Sequence, residues 1–187
     1  MGCTIAKTAL LTLLCALALG AAGWSEPVEI RLGSEKCITY RARLDGEYLV
    51  VEATPEKGWH TFPMDNELRA KEALAGKRSL GVDAPTQISL SNGLEPSAGW
   101  YQPEPENFSK PELRWFGWGY EKPALFVTKV RKSGTGPAEI AIRGQACTET
   151  SCKNIEVALS LPLPAAGISG APAGVDLKSL VTVRESK

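Results

Sequence analysis

Apolar and polar residues alternate in short runs along most of this chain, the period of half-buried strands rather than of helices. Val28 to Leu32, Ile38 to Leu44, Tyr48 to Thr54, Gln87 to Ser91, Ala124 to Val130, Ala138 to Ala146 and Ile155 to Leu163 are alternating or β-branched, with Gly, Pro, Asn and Asp between them. Asp45-Gly46, between two of these runs, is a tight-hairpin signal. Asn66 to Ala75 breaks the pattern with helix-forming composition and predicts a short surface helix in a long connection. About seven strands at this spacing predict an all-β fold, a β-sandwich of immunoglobulin-like type. From Ala165 to Gly174 the chain is rich in Ala, Gly and Pro and reads as a linker, with Val175 to Lys187 as a short tail.

Two cysteines, Cys147 and Cys152, flank Thr148-Glu149-Thr150-Ser151 where one alternating run ends and the next begins. That places a thiol pair at the tip of a hairpin. Facing residues of an antiparallel ladder have Cα atoms roughly 4.5 to 5.5 Å apart, which overlaps the span of a disulfide. Such a bond closes a ring of about six residues and restrains the unfolded chain by only about 2 kcal/mol, against about 4.7 for a loop of about 100. A short exposed hairpin disulfide is therefore a weak staple and is open to attack by another thiolate. Redox exchange and a plain structural bridge are the two readings.

The amino-terminal end sets the compartment. Lys7 precedes an apolar run, Thr8 to Gly23, and Ala21-Ala22-Gly23 supply a cleavage site before Trp24. This predicts a secretory signal peptide and an oxidising compartment outside the cytoplasm, with an uncleaved anchor as the alternative. No later segment approaches the roughly 20 apolar residues that span a bilayer. Neither lipid signal fits: Cys15 follows Leu14 rather than a small residue, and Met1-Gly2-Cys3 lacks Ser or Thr at position 6, so no stable lipid anchor is expected. The expected organisation is signal peptide over 1–23, sandwich over 24–164, and linker with tail over 165–187. Cys3 and Cys15 leave with the signal, and Cys37, Cys147 and Cys152 remain where disulfides persist. Cys37 lies in an alternating run and reads as a buried thiol. The competing arrangement joins Cys37 to a hairpin cysteine and makes the hairpin a staple.

Charge and motif content narrow the chemistry. Lys plus Arg and Asp plus Glu stand at 21 each, which gives no electrostatic footprint for nucleic acid. His60 is the sole histidine, so an ordinary zinc quartet is not expected; copper would require Cys147, Cys152 and His60 to converge. No Gly-rich phosphate loop and no serine elbow occurs, and neither a metal nor a cofactor is expected. A lone histidine on a half-buried strand is usually packed and hydrogen-bonded; beside the hairpin it could instead accept a proton.

The second concentration of chemistry is aromatic. Trp100, Tyr101, Phe108, Trp115, Phe116, Trp118 and Tyr120 interleave with Pro103, Pro105 and Pro111 in a segment too broken for one strand. These rings can fill the end of the sandwich, form a lid over the hairpin disulfide through Trp115-Phe116-Gly117, or offer a platform for sugar rings.

In order, Gly58-Trp59-His60-Thr61-Phe62, Ala84-Pro85-Thr86-Gln87-Ile88, Pro103-Glu104-Pro105, Phe116-Gly117 with Gly119-Tyr120, and Gln145-Ala146-Cys147 through Cys152 resemble the amino-terminal domain of the DsbD thiol:disulfide interchange family, over roughly Val28 to Leu163. The resemblance implies an immunoglobulin-like periplasmic domain that relays reducing equivalents from a thioredoxin-like donor to acceptor proteins. It further implies Cys152 as the mixed-disulfide cysteine, Cys147 as the resolving one, Trp115 and Phe116 as a cap, and His60 and Phe62 as the neighbouring strand. The chain departs from the family in the spacing of its cysteines, in Lys153-Asn154 where the family carries prolines, and in Leu113-Arg114 where acidic residues precede the cap aromatic. Electrons are expected from a thioredoxin-like protein or domain or from a membrane electron-transfer partner, the chain being one part of a protein-disulfide reductase system and not self-sufficient. The reading from a different class is a secreted β-sandwich that binds protein or carbohydrate and whose hairpin disulfide is only structural.

Overall fold

The alternating runs form two facing antiparallel sheets in the computed structural model of the chain, which describes residues 23–77, 83–165 and 167–185. All of the expected signal segment except Gly23 lies outside the described residues, and Cys3 and Cys15 with it. The elements are β1 Val28–Leu32, β2 Glu35–Asp45, β3 Tyr48–Pro55, β4 His60–Thr61, α1 Asn66–Leu74, β5 Gln87–Ser91, β6 Leu94–Gln102, β7 Glu106–Asn107, β8 Trp118–Gly119, β9 Ala124–Lys132, β10 Ala138–Cys147, β11 Cys152–Leu161 and β12 Val181–Thr182. The first sheet runs β1-β2-β3-β9-β6-β12; the second runs β11-β10-β4, with β5 also paired to β10. β7 and β8 make a separate two-stranded ribbon.

Alternation explains the layers. Tyr40, Ala42 and Leu44 of β2, Leu49, Val51 and Ala53 of β3 and Phe126 of β9 face Ile140 and Ile142 of β10 and Ile155 and Leu159 of β11 in one buried cluster. The result is an immunoglobulin-like β-sandwich, as the spacing of the runs predicts. The tight turn at Asp45-Gly46 is also present, with Asp45 opposite Tyr48 and Gly46 at φ +61°. Helix α1 covers nearly the range expected for it.

One face of the first sheet would otherwise meet solvent, and the carboxyl-terminal segment covers it. Val50 and Val127 are fully buried on that side beneath Val175, with Trp24, Leu177 and Leu180 packed around them. The stretch read as a linker and tail thus returns to the sheet: β12 pairs with Tyr101 and Gln102 of β6, and Val183 N–H donates to Trp100 C=O at 2.8 Å. A buried carboxylate anchors the return. Asp45 accepts the Ala173 and Gly174 N–H groups at 2.8 and 2.9 Å and pairs with Arg43 at 3.1 Å. Further along, Arg184 reaches the buried Asp65 at 3.2 Å and Glu72 at 2.7 Å.

Burial pushes the Asp45 carboxyl up, but the two backbone donors and Arg43 together outweigh it and hold the group below its ordinary value. A carboxyl bound more tightly in its ionised form stabilises the fold fully above its unfolded pKa, about 3.9, and loses that contribution as pH falls through the lower folded value. The Ala173 and Gly174 amides are therefore expected to lose hydrogen-exchange protection below about pH 4, ahead of core amides of β3 and β10. Asp45→Ala is expected to produce the same loss at neutral pH with about 2 kcal/mol of destabilisation. Unchanged protection of both amides at pH 3 would show that the carboxylate does not hold this segment.

Candidate functional site

Register builds the site. β10 and β11 pair without a break from Ala138 opposite Leu161 to Cys147 opposite Cys152, so the two thiols occupy the last pair before the turn. They are joined in a disulfide, with Cα atoms 4.1 Å apart. The turn closes independently of that bond: Thr148 N–H donates to Ser151 C=O at 2.8 Å, and Thr148 Oγ1 accepts the Thr150 and Ser151 N–H groups at 3.2 and 3.0 Å. Thr148 is the local reason why a four-residue polar stretch folds tightly here.

On its other edge β10 carries β4, which sets His60 opposite Cys147 and Thr61 opposite Ala146. Thr61 Oγ1 donates to Gln145 C=O at 3.0 Å and fixes that short pairing. The two sulfurs differ in access. Cys147 is 2% exposed, lodged between two strands, whereas Cys152 on the outer strand is exposed. The disulfide forms part of the wall of a cleft of about 550 Å³ that opens to solvent, lined on the far side by His60, Phe108, Lys110, Leu113 and Trp115.

The β7–β8 ribbon and its connecting loop overhang this cleft. Phe108 N–H donates to Gly117 C=O at 2.9 Å and Lys110 N–H to Trp115 C=O at 2.8 Å, so the loop folds back on itself with a short 3₁₀ turn at Pro111–Leu113. Trp115, half-buried, lines the cleft as the cap reading requires; Phe116, also half-buried, does not line it. Phe62 is fully buried and meets the edge of His60 at 5.2 Å between ring centroids, and Phe108 meets His60 from the cleft side at the same distance. Flanked by two rings, His60 loses water, and that burial lowers its pKa, with Glu121 acting weakly in the other direction. Phe108 is a cleft residue that the sequence indicated only as one of several clustered aromatics.

Asp83 was not legible at all. An oxygen of its carboxyl and the two sulfurs lie within 4.8 Å of one another, whereas His60 does not join that group. Both sulfurs are committed to each other in the disulfide, so the trio is not a ready metal site. Two anchors place the residue: Asn66 Nδ2, fully buried at the start of α1, donates to Asp83 C=O at 2.9 Å, and Ala84 N–H donates to Gln145 Oε1 at 2.9 Å. Asn66 Oδ1 also accepts the Trp118 N–H at 3.0 Å, which ties helix, cap ribbon and Asp83 together. The nearest sequence signal was the run from Ala84-Pro85, one residue further on.

Cys37 is a buried thiol in β2, fully shielded, and its pKa is raised by desolvation. Its expected state is the observed one, and the bridge from Cys37 to a hairpin cysteine does not form.

No protein-family model and no curated protein matches the chain. Among solved structures, the amino-terminal domain of DsbD from Neisseria meningitidis in its reduced form is similar at 14% identity and a TM-score of 0.34, over 79% of this chain and 91% of that one.

If Phe108 limits approach to the sulfurs, Phe108→Ala is expected to speed reduction by dithiothreitol by roughly 3- to 10-fold, at a stability cost of about 1 kcal/mol. An unchanged rate in a folded variant would place the barrier elsewhere on the cleft.

Proposed function

We propose that this protein is a thiol–disulfide exchange module, relaying reducing equivalents between a thioredoxin-like donor and acceptor proteins through Cys147 and Cys152. The observation that supports it most is a disulfide at the end of a ladder whose turn closes on its own hydrogen bonds, facing an open cleft rather than the core. A bond that the fold does not need, in a place that another protein can reach, suits exchange better than stapling. The alternative of a binding module with a structural disulfide predicts the opposite dependence of the fold on that bond. Aromatic rings line the cleft, but they crowd the disulfide and His60 and offer little of the flat open face that a sugar platform needs.

The difference in exposure supports a division of roles. A partner thiolate attacks the Sγ of exposed Cys152, a new S–S bond forms to the partner, and the electron pair of the broken bond passes to Cys147 Sγ. A second partner thiolate then releases Cys152 in reduced form. The reverse sequence hands the electrons to an acceptor disulfide. Trp115 and Phe108 would limit access to partners able to enter or displace the overhanging loop. The setting that goes with this chemistry is the periplasm, reached through the amino-terminal signal, with a soluble or membrane-borne thioredoxin-like domain as donor.

Titration of the pair against a dithiothreitol series, followed by alkylation and mass spectrometry, is expected to give a reversible midpoint above about −300 mV. The circular dichroism spectrum should be retained on reduction, and stability should fall by no more than about 2 kcal/mol. Unfolding on reduction, or resistance to the reductant, would favour the structural bridge. Cys147→Ser is expected to trap a mixed disulfide with a thioredoxin-like protein through Cys152, and Cys152→Ser to trap far less; equal trapping by both would remove the assigned order.

A further inference from the structure

The carboxyl of Asp83 is only partly engaged, by its own backbone N–H. Its Oδ2 is buried without a hydrogen-bond partner, although a carboxylate in a fold is ordinarily satisfied. Room for it exists because residue 117 is glycine: a Cβ there would stand 3.1 Å from Asp83 Oδ2. The Asp83–Ala84 peptide is pinned at both its groups, the C=O by Asn66 and the N–H by Gln145, which fixes the backbone that carries the carboxyl. It is aimed at the sulfurs, with all three ligand atoms inside 4.8 Å.

Exchange at this site has a proton problem that falls on one cysteine only. Cys152 is exposed and trades its proton with water. Cys147, at 2% exposure on the cleft wall, meets far less water, and attack on Cys152 leaves an electron pair on its Sγ beside a carboxyl. Two adjacent anions there would repel strongly in a low dielectric. Desolvation raises the Asp83 carboxyl above its ordinary value, with its own backbone N–H acting in the other direction. Other ionisable groups facing the cleft are His60 from β4, Lys110 from the cap loop, Glu121 beyond β8 and Glu149 from the turn, and none of them joins the 4.8 Å group.

We propose that Asp83 is the proton carrier for Cys147, an inference that rests on the exchange reading of the site. On reduction, the partner thiolate forms a bond to Cys152 Sγ, the Cys147–Cys152 bond breaks, and the Asp83 carboxylic acid gives its proton to the Cys147 thiolate, leaving thiol and carboxylate. On oxidation by glutathione disulfide, the Cys152 thiolate attacks first and expels one glutathione thiolate. The Asp83 carboxylate then takes the Cys147 proton, and the resulting thiolate attacks Cys152 Sγ. The Cys147–Cys152 bond forms, the second glutathione leaves as thiolate and is protonated by water, and Asp83 keeps its proton, the state from which reduction starts. Electrons and protons balance in both directions.

The test uses the full chain with glutathione disulfide as probe, resolving the two steps by rapid quench. Asp83→Asn is expected to slow ring closure at neutral pH by about a hundredfold, the low end of what a positioned acid–base group supplies, and to make its rate climb with pH as Cys147 ionises unaided. Formation of the mixed disulfide on Cys152, measured alone in Cys147→Ser, should change less than about threefold when Asp83→Asn is added. Equal effects on both steps, or closure with an unaltered pH profile, would overturn the proposal. An independent reading comes from the unaltered protein: the Asp83 carboxyl carbon, followed by NMR, should titrate at different pH in the oxidised and reduced forms, and coincident titrations would also overturn it. Failure of the exchange reading itself looks different, since no mixed disulfide would then form in any variant.

Discussion

The pairing register of β10 is the constraint on which the site depends. Because Cys147 is the last residue of that strand and faces Cys152 on one side and His60 on the other, the antiparallel ladder alone decides that the thiols can bond and that one is enclosed. A slip of one residue would turn Ile140 and Ile142 out of the core and move Cys147 to the opposite face. Burial of these isoleucines between the sheets therefore also fixes the sulfur geometry. The core and the chemistry share one determinant.

Enclosure on one side and exposure on the other make the two cysteines unequal, and everything else near them follows from that. β4 shields Cys147, Phe62 and Phe108 dry out His60, and Asn66 and Gln145 hold Asp83 against the sulfurs. Asn66 carries much of this alone, since it joins the helix start to Asp83 and to the cap ribbon through Trp118. A short helix of polar composition, unremarkable as a core element, is thus a positioning element for the cleft.

Period-2 alternation made most of the long strands readable, because each has one face in the core; β1 and β5 even share their limits with the apolar runs. Strand β6 escaped because Pro96-Ser97-Ala98-Gly99 interrupts its alternation, and in the structure its register with β9 shifts between Pro96 and Trp100. The tail escaped for a different reason: its docking depends on Asp45, far away in sequence, accepting two backbone N–H groups, which no local pattern encodes. The run Leu49-Val50-Val51 did carry a hint, since a strand buried on both faces loses its alternation, and Val50 is the residue the tail covers. At the site, the cysteines and Trp115 could be singled out by residue type and spacing. Asp83 could not, because an aspartate before a proline-containing turn has many ordinary explanations and only tertiary contact distinguishes this one.

Thiol–disulfide chemistry at the hairpin would carry a hazard that the same architecture meets. Any third thiol able to reach the pair would compete for Cys152 and freeze the molecule in a wrong disulfide. Cys37 has no exposed surface, and its raised pKa keeps it protonated and so a poor nucleophile. It belongs to the interior cluster with Ile38 and Tyr40, so reaching the hairpin would require opening the core. Separation of the thiols is thus kinetic as well as geometric: one is immobilised by packing, one is enclosed beside a carboxyl, and one is exposed. That division lets a disulfide pair and a buried thiol coexist in a single sandwich.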